Sequence, residues 1–116
     1  MIILYGIRNC DTMKRARAWL DEHGVAYTFH DYKVAGIERA TLAAWCSKVG
    51  WEKLLNRAGT TFRKLGPRDT ENLDGIKAVE LMLKQPSLIK RPVMQLERRI
   101  VVGFRPELYE TELAKR

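Results

Sequence analysis

Cysteine, histidine and long apolar runs are all scarce in this chain. Of its 116 residues two are cysteines, Cys10 and Cys46, and two are histidines. Two cysteines so far apart supply neither a disulfide scaffold nor the paired spacing of a structural zinc site. Reduced thiols, no metal and no bound cofactor are therefore expected. No apolar run is longer than the five residues of Met1–Tyr5, against the roughly 20 that a bilayer-spanning helix requires. A charged head followed by an apolar stretch of signal-peptide length is also missing, because Arg8 and Asn9 interrupt the N-terminus early. The expectation is a cytoplasmic protein without membrane contact. A length below about 150 residues predicts one domain, 1–116.

Acidic residues are outnumbered, 14 Asp+Glu against 21 Lys+Arg, for a net charge of +7. The excess is uneven. Residues 86–105 hold Lys90, Arg91, Arg98, Arg99 and Arg105 against Glu97 alone, which points to an anionic partner or to a basic solvated face. No basic helix, aromatic platform or nucleic-acid motif accompanies it, so no specific nucleic-acid binding is expected.

Met1–Tyr5 is an unalternated, β-branched apolar run before a glycine and reads as a central strand buried on both faces. From Asp11 to His23 the spacing turns helical, with Met13, Ala16 and Leu20 on one face and Gly24 as the stop. Val25, Tyr27 and Phe29 then alternate with Ala26, Thr28 and His30 as in a half-buried strand. Strand, helix and strand at these spacings form a βαβ unit with parallel strands. Leu42, Trp45, Cys46 and Val49 predict an amphipathic helix over 38–49 with Cys46 in its buried face. A further turn or two is expected over 51–56, a connector over 59–69, and a helix over 74–85 with Ile76, Val79 and Leu83 on its apolar side. Val93–Leu96 and Ile100–Val102 flank a polar turn and predict an antiparallel hairpin. A last helix starts at Pro106. The order β-α-β, helices, β-β-α describes an α/β fold: a thioredoxin-like mixed sheet with an inserted helical lobe at about 37–90.

Cys10 falls between the first strand and the first helix, where unpaired N–H groups and the helix dipole favour an anion. A thiol there is predicted to ionise below the ordinary cysteine pKa of about 8.5. Lys14 one turn along and Arg8 on the other flank add positive charge, and Asp11 opposes them. A dithiol motif needs a second cysteine three residues on, where Met13 stands. A phosphatase-type loop needs arginine six residues on, where Ala16 stands. His23 and His30 are expected at the surface, away from the thiol. What remains is a single-thiol site whose resolving thiol comes from outside or from a distant residue.

With Cys10 placed, YGIRNCDTMKRARAWL, FHDYK, GWEKLLNRAGTTFRKL, MLKQPSLIKRPV and VGFRPELY together resemble the ArsC/Spx family, in its YffB-like branch. The resemblance spans almost the whole chain. It implies a thioredoxin-like fold with a helical insertion and a cis Arg91–Pro92 bond facing the thiol. Arsenate reductases of the family use such a cysteine with three arginines, glutathione and glutaredoxin completing the cycle. Two of those arginines match Arg91 and Arg105, and the third falls one residue from Arg57. Where those enzymes carry His four residues before the cysteine and Arg four after it, this chain has Gly6 and Lys14. For the YffB-like branch the resemblance implies a glutathione-dependent thiol reductase. Cys10 would be the catalytic thiol and glutathione the co-substrate. Arg91, Arg105 and Arg57, with Lys14, Arg8 and Pro92 beside them, would hold a small anionic or disulfide substrate. The alternatives are an arsenate (oxyanion) reductase and an Spx-like regulator that binds the RNA polymerase α subunit, whose C-x-x-C switch Met13 would remove.

Overall fold

A computed structural model describes residues 1–115. The chain divides into two compact units. One is Met1–Ala35 with the chain from Arg91 onward, and the other is Gly36–Lys90.

In the first unit, β1 (Ile3–Gly6) lies between β2 (Thr28–Asp31) and β3 (Val93–Gln95), and β4 (Ile100–Val102) closes the order β2-β1-β3-β4. The β1–β2 pair is parallel and runs from Ile3↔Thr28 to Gly6↔Asp31. The β1–β3 and β3–β4 pairs are antiparallel. This is the thioredoxin-like mixed sheet that the element order predicts. β2 starts later than its alternation suggests, because the Val25 N–H is spent on Leu20 O (2.9 Å), closing the preceding helix.

α1 (Asp11–Glu22) buries Met13, Ala16 and Leu20. They pack with Ile2 and Leu4 of one sheet face, with Met94, Leu96 and Val101, and with Tyr109 of α7 (Pro106–Ala114). Tyr109 is the buried residue of α7, and its ring meets Trp19 and Phe104 edge-on at centroid distances of 5.7 and 4.8 Å. Aromatic pairs of this geometry add about 0.5–1.5 kcal/mol beyond area burial, so Tyr109 is the main attachment of that helix. Gly6 shares the strand parity of Ile2 and Leu4 and continues their row without a side chain. A Cβ at Gly6 would fall on Sδ and Cε of the fully buried Met13.

The second unit holds α2 (Arg39–Val49), α3 (Trp51–Leu54), α4 (Thr60–Arg63), α5 (Pro67–Thr70), α6 (Gly75–Lys84) and a 3-10 turn at Pro86–Leu88. The chain leaves it along an antiparallel bridge, Leu55 to Ile89, flanked by Asn56 N–H to Leu88 O (2.8 Å) and Lys90 N–H to Leu54 O (2.7 Å). Three expectations need correction here. The 59–69 connector holds two single-turn helices, each entered from an extended glycine, Gly59 or Gly66, and the second begins on Pro67. In α6 the buried stripe is Ala78, Val79, Leu81 and Met82, whereas Ile76 is 80% exposed. The segment has two overlapping apolar stripes, and packing selects the one at 78/81/82. Cys46 is half-buried rather than in the core with Leu42 and Trp45, and it lines a surface groove with Arg39, Ala43, Gly75, Ile76 and Val79. Among the described residues no helix is long and apolar enough to cross a membrane.

Gly6→Ala is expected to cost about 1–3 kcal/mol, as overpacking of a filled core does. Chemical denaturation would read the loss, and in a Met13→Ala background the same substitution should cost less, because the space the new methyl needs is already vacated.

Candidate functional site

The carboxyl ends of the parallel strands β1 and β2 and the start of α1 converge, as ligand sites in α/β sheets commonly require. Three residues past the end of β1, the short turn Ile7–Asn9 hands the chain to Cys10, the N-cap of α1, in extended conformation (φ −122°, ψ 132°). The Asp31 carboxylate at the end of β2 pins this turn by accepting the Arg8 N–H (3.2 Å), while its other oxygen accepts the Lys33 N–H (2.9 Å). One residue on, the Tyr32 N–H donates to Gly6 O (3.0 Å) and extends the β1–β2 pairing.

Cys10 is half-exposed. Its neutral side chain makes no regular capping hydrogen bond, but four influences favour the thiolate. Partial burial pushes the thiol pKa up and is the largest single effect. The Met13 N–H, a hydrogen bond from the Arg91 guanidinium, the Thr12 N–H and the Arg91 charge together outweigh it, and the pKa falls below the ordinary cysteine value. Unpaired first-turn amides and a forked cation are the donors that stabilise an anion at a helix start. Cys46 goes the other way, pushed up by burial and by the nearby charge of Glu52.

Arg91 is half-buried, follows the second unit directly and opens the return to β3 through a cis peptide bond with the buried Pro92. Pro92 O accepts the Gly103 N–H (2.8 Å), which brings the loop leading to Arg105 alongside it. Arg105 is exposed and is the N-cap of α7. Lys14 and Arg8 are exposed as well; the Lys14 N–H donates to Cys10 O (2.9 Å) as the first helical bond. Of the cations named from the sequence, Arg91 is the one that acts on the sulfur. Arg57 belongs to the second unit, exposed, with its guanidinium 5.6 Å from the Trp51 ring centroid. His23 is exposed, whereas His30 is half-buried with its ring 4.8 Å from that of Tyr5.

Sequence reasoning missed Tyr32. It is fully buried, and its phenol hydrogen-bonds the same Arg91 guanidinium that reaches Cys10. The available signal was an aromatic residue between Asp31 and Lys33, just past a strand that runs parallel to β1. Periodicity could not mark it, since it lies outside the alternation of Val25, Tyr27 and Phe29.

Residues 5–111 match the model of the ArsC family. The solved structure of a YffB protein is 59% identical, covering 96% of this chain and 97% of that one with a TM-score of 0.94. An arsenate reductase (ArsC) related protein from Brucella melitensis is 54% identical over 97% of this chain and 93% of its own, with a TM-score of 0.78. The global transcriptional regulator Spx of Streptococcus pyogenes is 30% identical over 90% of this chain and 78% of its own.

In a Cys46→Ser protein, Cys10 alkylation should reach half its plateau rate below the pH of free cysteine, about 8.5. Arg91→Met should move that midpoint upward. The sign carries over to stability. Between the lowered folded pKa and the ordinary value the unfolded chain holds more protons, so Cys10 stabilises the fold above that window and loses the effect as pH falls through the folded pKa.

Proposed function

The chain belongs to the ArsC family, and from that premise we propose that it is a glutathione-dependent thiol reductase working through Cys10 alone. The observation that carries this reading is the thiolate-favouring contact of Arg91 and the first α1 amides with a half-exposed sulfur. A thiolate is the attacking species in disulfide exchange.

In the first step the Cys10 thiolate attacks the glutathione sulfur of a mixed disulfide R–S–S–G. One S–S bond breaks, a Cys10–glutathione disulfide forms, and the substrate leaves as R–S⁻. A second glutathione, as thiolate, attacks that disulfide, releasing oxidised glutathione and restoring Cys10. The net two-electron reduction consumes one glutathione beyond the one carried in, and the leaving thiolate takes a proton from water. Arg91 and the exposed Arg105 suit the two carboxylates of glutathione, and the same donors that hold the Cys10 thiolate stabilise it as a leaving group.

Two features support an external resolving thiol. Cys10 is the one cysteine of its unit, and the residue at the second position of a C-x-x-C motif is Met13, fully buried over Gly6. The same packing bears on oxyanions. A tetrahedral oxyanion needs several convergent donors, yet position 6 offers no side chain and its space is filled by a thioether. Disulfide reduction is therefore favoured over arsenate reduction, with glutaredoxin as an alternative electron donor. The relative described as a global transcriptional regulator favours a second reading, a regulator; for the partner that the family resemblance implies, the RNA polymerase α subunit, retention of that subunit on the immobilised protein would test it.

In a glutathione reductase-coupled NADPH assay, turnover is expected with a mixed glutathione disulfide and not with arsenate. Cys10→Ser should lower the rate by at least about 10³-fold, as removal of a nucleophile does, and abolish the glutathione adduct in intact-mass spectra, while Cys46→Ser keeps both. Turnover of arsenate alone would reverse the assignment, and turnover of neither would favour the regulator.

A further inference from the structure

We propose that Tyr32 is a positioning residue for Arg91: its buried phenol holds the guanidinium against the Cys10 sulfur while leaving the full positive charge of the guanidinium available to the thiolate. The inference rests on the reading of Cys10 as the working thiolate and adds the residue that orients its counter-ion.

The geometry points this way from both ends of Arg91. One guanidinium engages the Cys10 sulfur and the Tyr32 oxygen. Guanidinium has five donors and no acceptor, so at Tyr32 the phenol oxygen accepts. Tyr32 is itself anchored, with 0% exposure and its N–H bonded to Gly6 O (3.0 Å) at the end of β1. An arginine tethered by a rigid acceptor loses less rotamer freedom on meeting its anion than one free in solvent.

The chemical identity of the tether matters. A carboxylate in the place of Tyr32 would grip Arg91 more strongly, but its negative charge would offset the cation and push the thiol pKa up. A neutral oxygen avoids that cost. Burial, the largest influence on Tyr32, drives its pKa well above the ordinary tyrosine value, and the opposing pull of Arg91 does not overcome it. The phenol is thus still protonated where Cys10 titrates. The charged groups facing Tyr32 are Arg91, Cys10 and Asp31, and the Asp31 carboxylate accepts the Arg8 and Lys33 N–H groups.

The test is a double-mutant cycle in the Cys46→Ser protein, reading the Cys10 pKa from thiolate ultraviolet absorbance and alkylation rate across pH. Tyr32→Phe is expected to raise that pKa by about half a unit to one unit, the scale of a loosened opposite charge. In an Arg91→Met background the same substitution should leave the pKa where Arg91→Met has put it. A lowered wild-type pKa that survives Tyr32→Phe would overturn the positioning role and leave the thiolate reading standing. A shift of equal size in the Arg91→Met background would mean that the phenol acts on the sulfur directly and would also overturn it. An ordinary wild-type pKa would overturn the thiolate reading and this inference together. Should Tyr32→Phe fail to fold, ¹³Cζ-tyrosine NMR of the intact protein decides. The Tyr32 signal should move through the Cys10 titration and cease to do so in Arg91→Met, and a signal indifferent to that titration refutes the coupling.

Discussion

A guanidinium held against a sulfur at the start of a helix is the interaction on which the candidate site of this molecule turns. Each partner comes from a different piece of the first unit. Cys10 caps α1, Arg91 opens the segment leading into β3, and Tyr32 follows β2. An isolated thiol at a partly buried helix start is pushed toward the neutral form by desolvation, and the helix amides and the cation reverse that. The sheet pairing that makes β1 the neighbour of both β2 and β3 is what brings them together.

The absence of a second thiol beside Cys10 is built into the core. Gly6 and Met13 are a complementary pair, the glycine leaving room in the sheet-facing row and the methionine filling it from the helix. Placing a cysteine at Met13 would exchange a long apolar side chain for a short one at a fully buried position and open a cavity beneath the start of α1. The packing under the helix and the lack of a second thiol beside Cys10 are thereby linked through one side chain.

Several of the cations are engaged by rings or acids of their own unit. Arg17 lies 4.4 Å from the Phe29 ring centroid and donates to the Tyr27 hydroxyl (3.1 Å). Arg99 pairs with Glu112 (3.4 Å), and Arg39 pairs with Glu80. The exposed Arg39–Glu80 pair contributes about 0–1 kcal/mol, so its main effect is to leave one fewer cation unneutralised. Of the basic residues between 86 and 105, Arg91 hydrogen-bonds the Cys10 sulfur and Arg99 ties the β3–β4 turn to α7, while Lys90, Arg98 and Arg105 are exposed. A count of charges along the chain cannot make that division, because it depends on which acids and rings the fold brings within reach.

Local pattern by itself determined the elements and the thiol. Period-two and helical spacing, Gly24 as a stop and Pro106 as a start mark β1, α1, α2, the β3–β4 hairpin and α7 to within a few residues, because these signals act between near neighbours. The same locality places Cys10 at a helix start. Tertiary structure alone decided which cation meets the sulfur, that Tyr32 is buried behind that cation, that Ile76 faces outward and that Cys46 borders a groove. Each of these depends on contacts between residues distant in sequence, where several apolar stripes or several arginines satisfy the local pattern equally and only packing chooses among them.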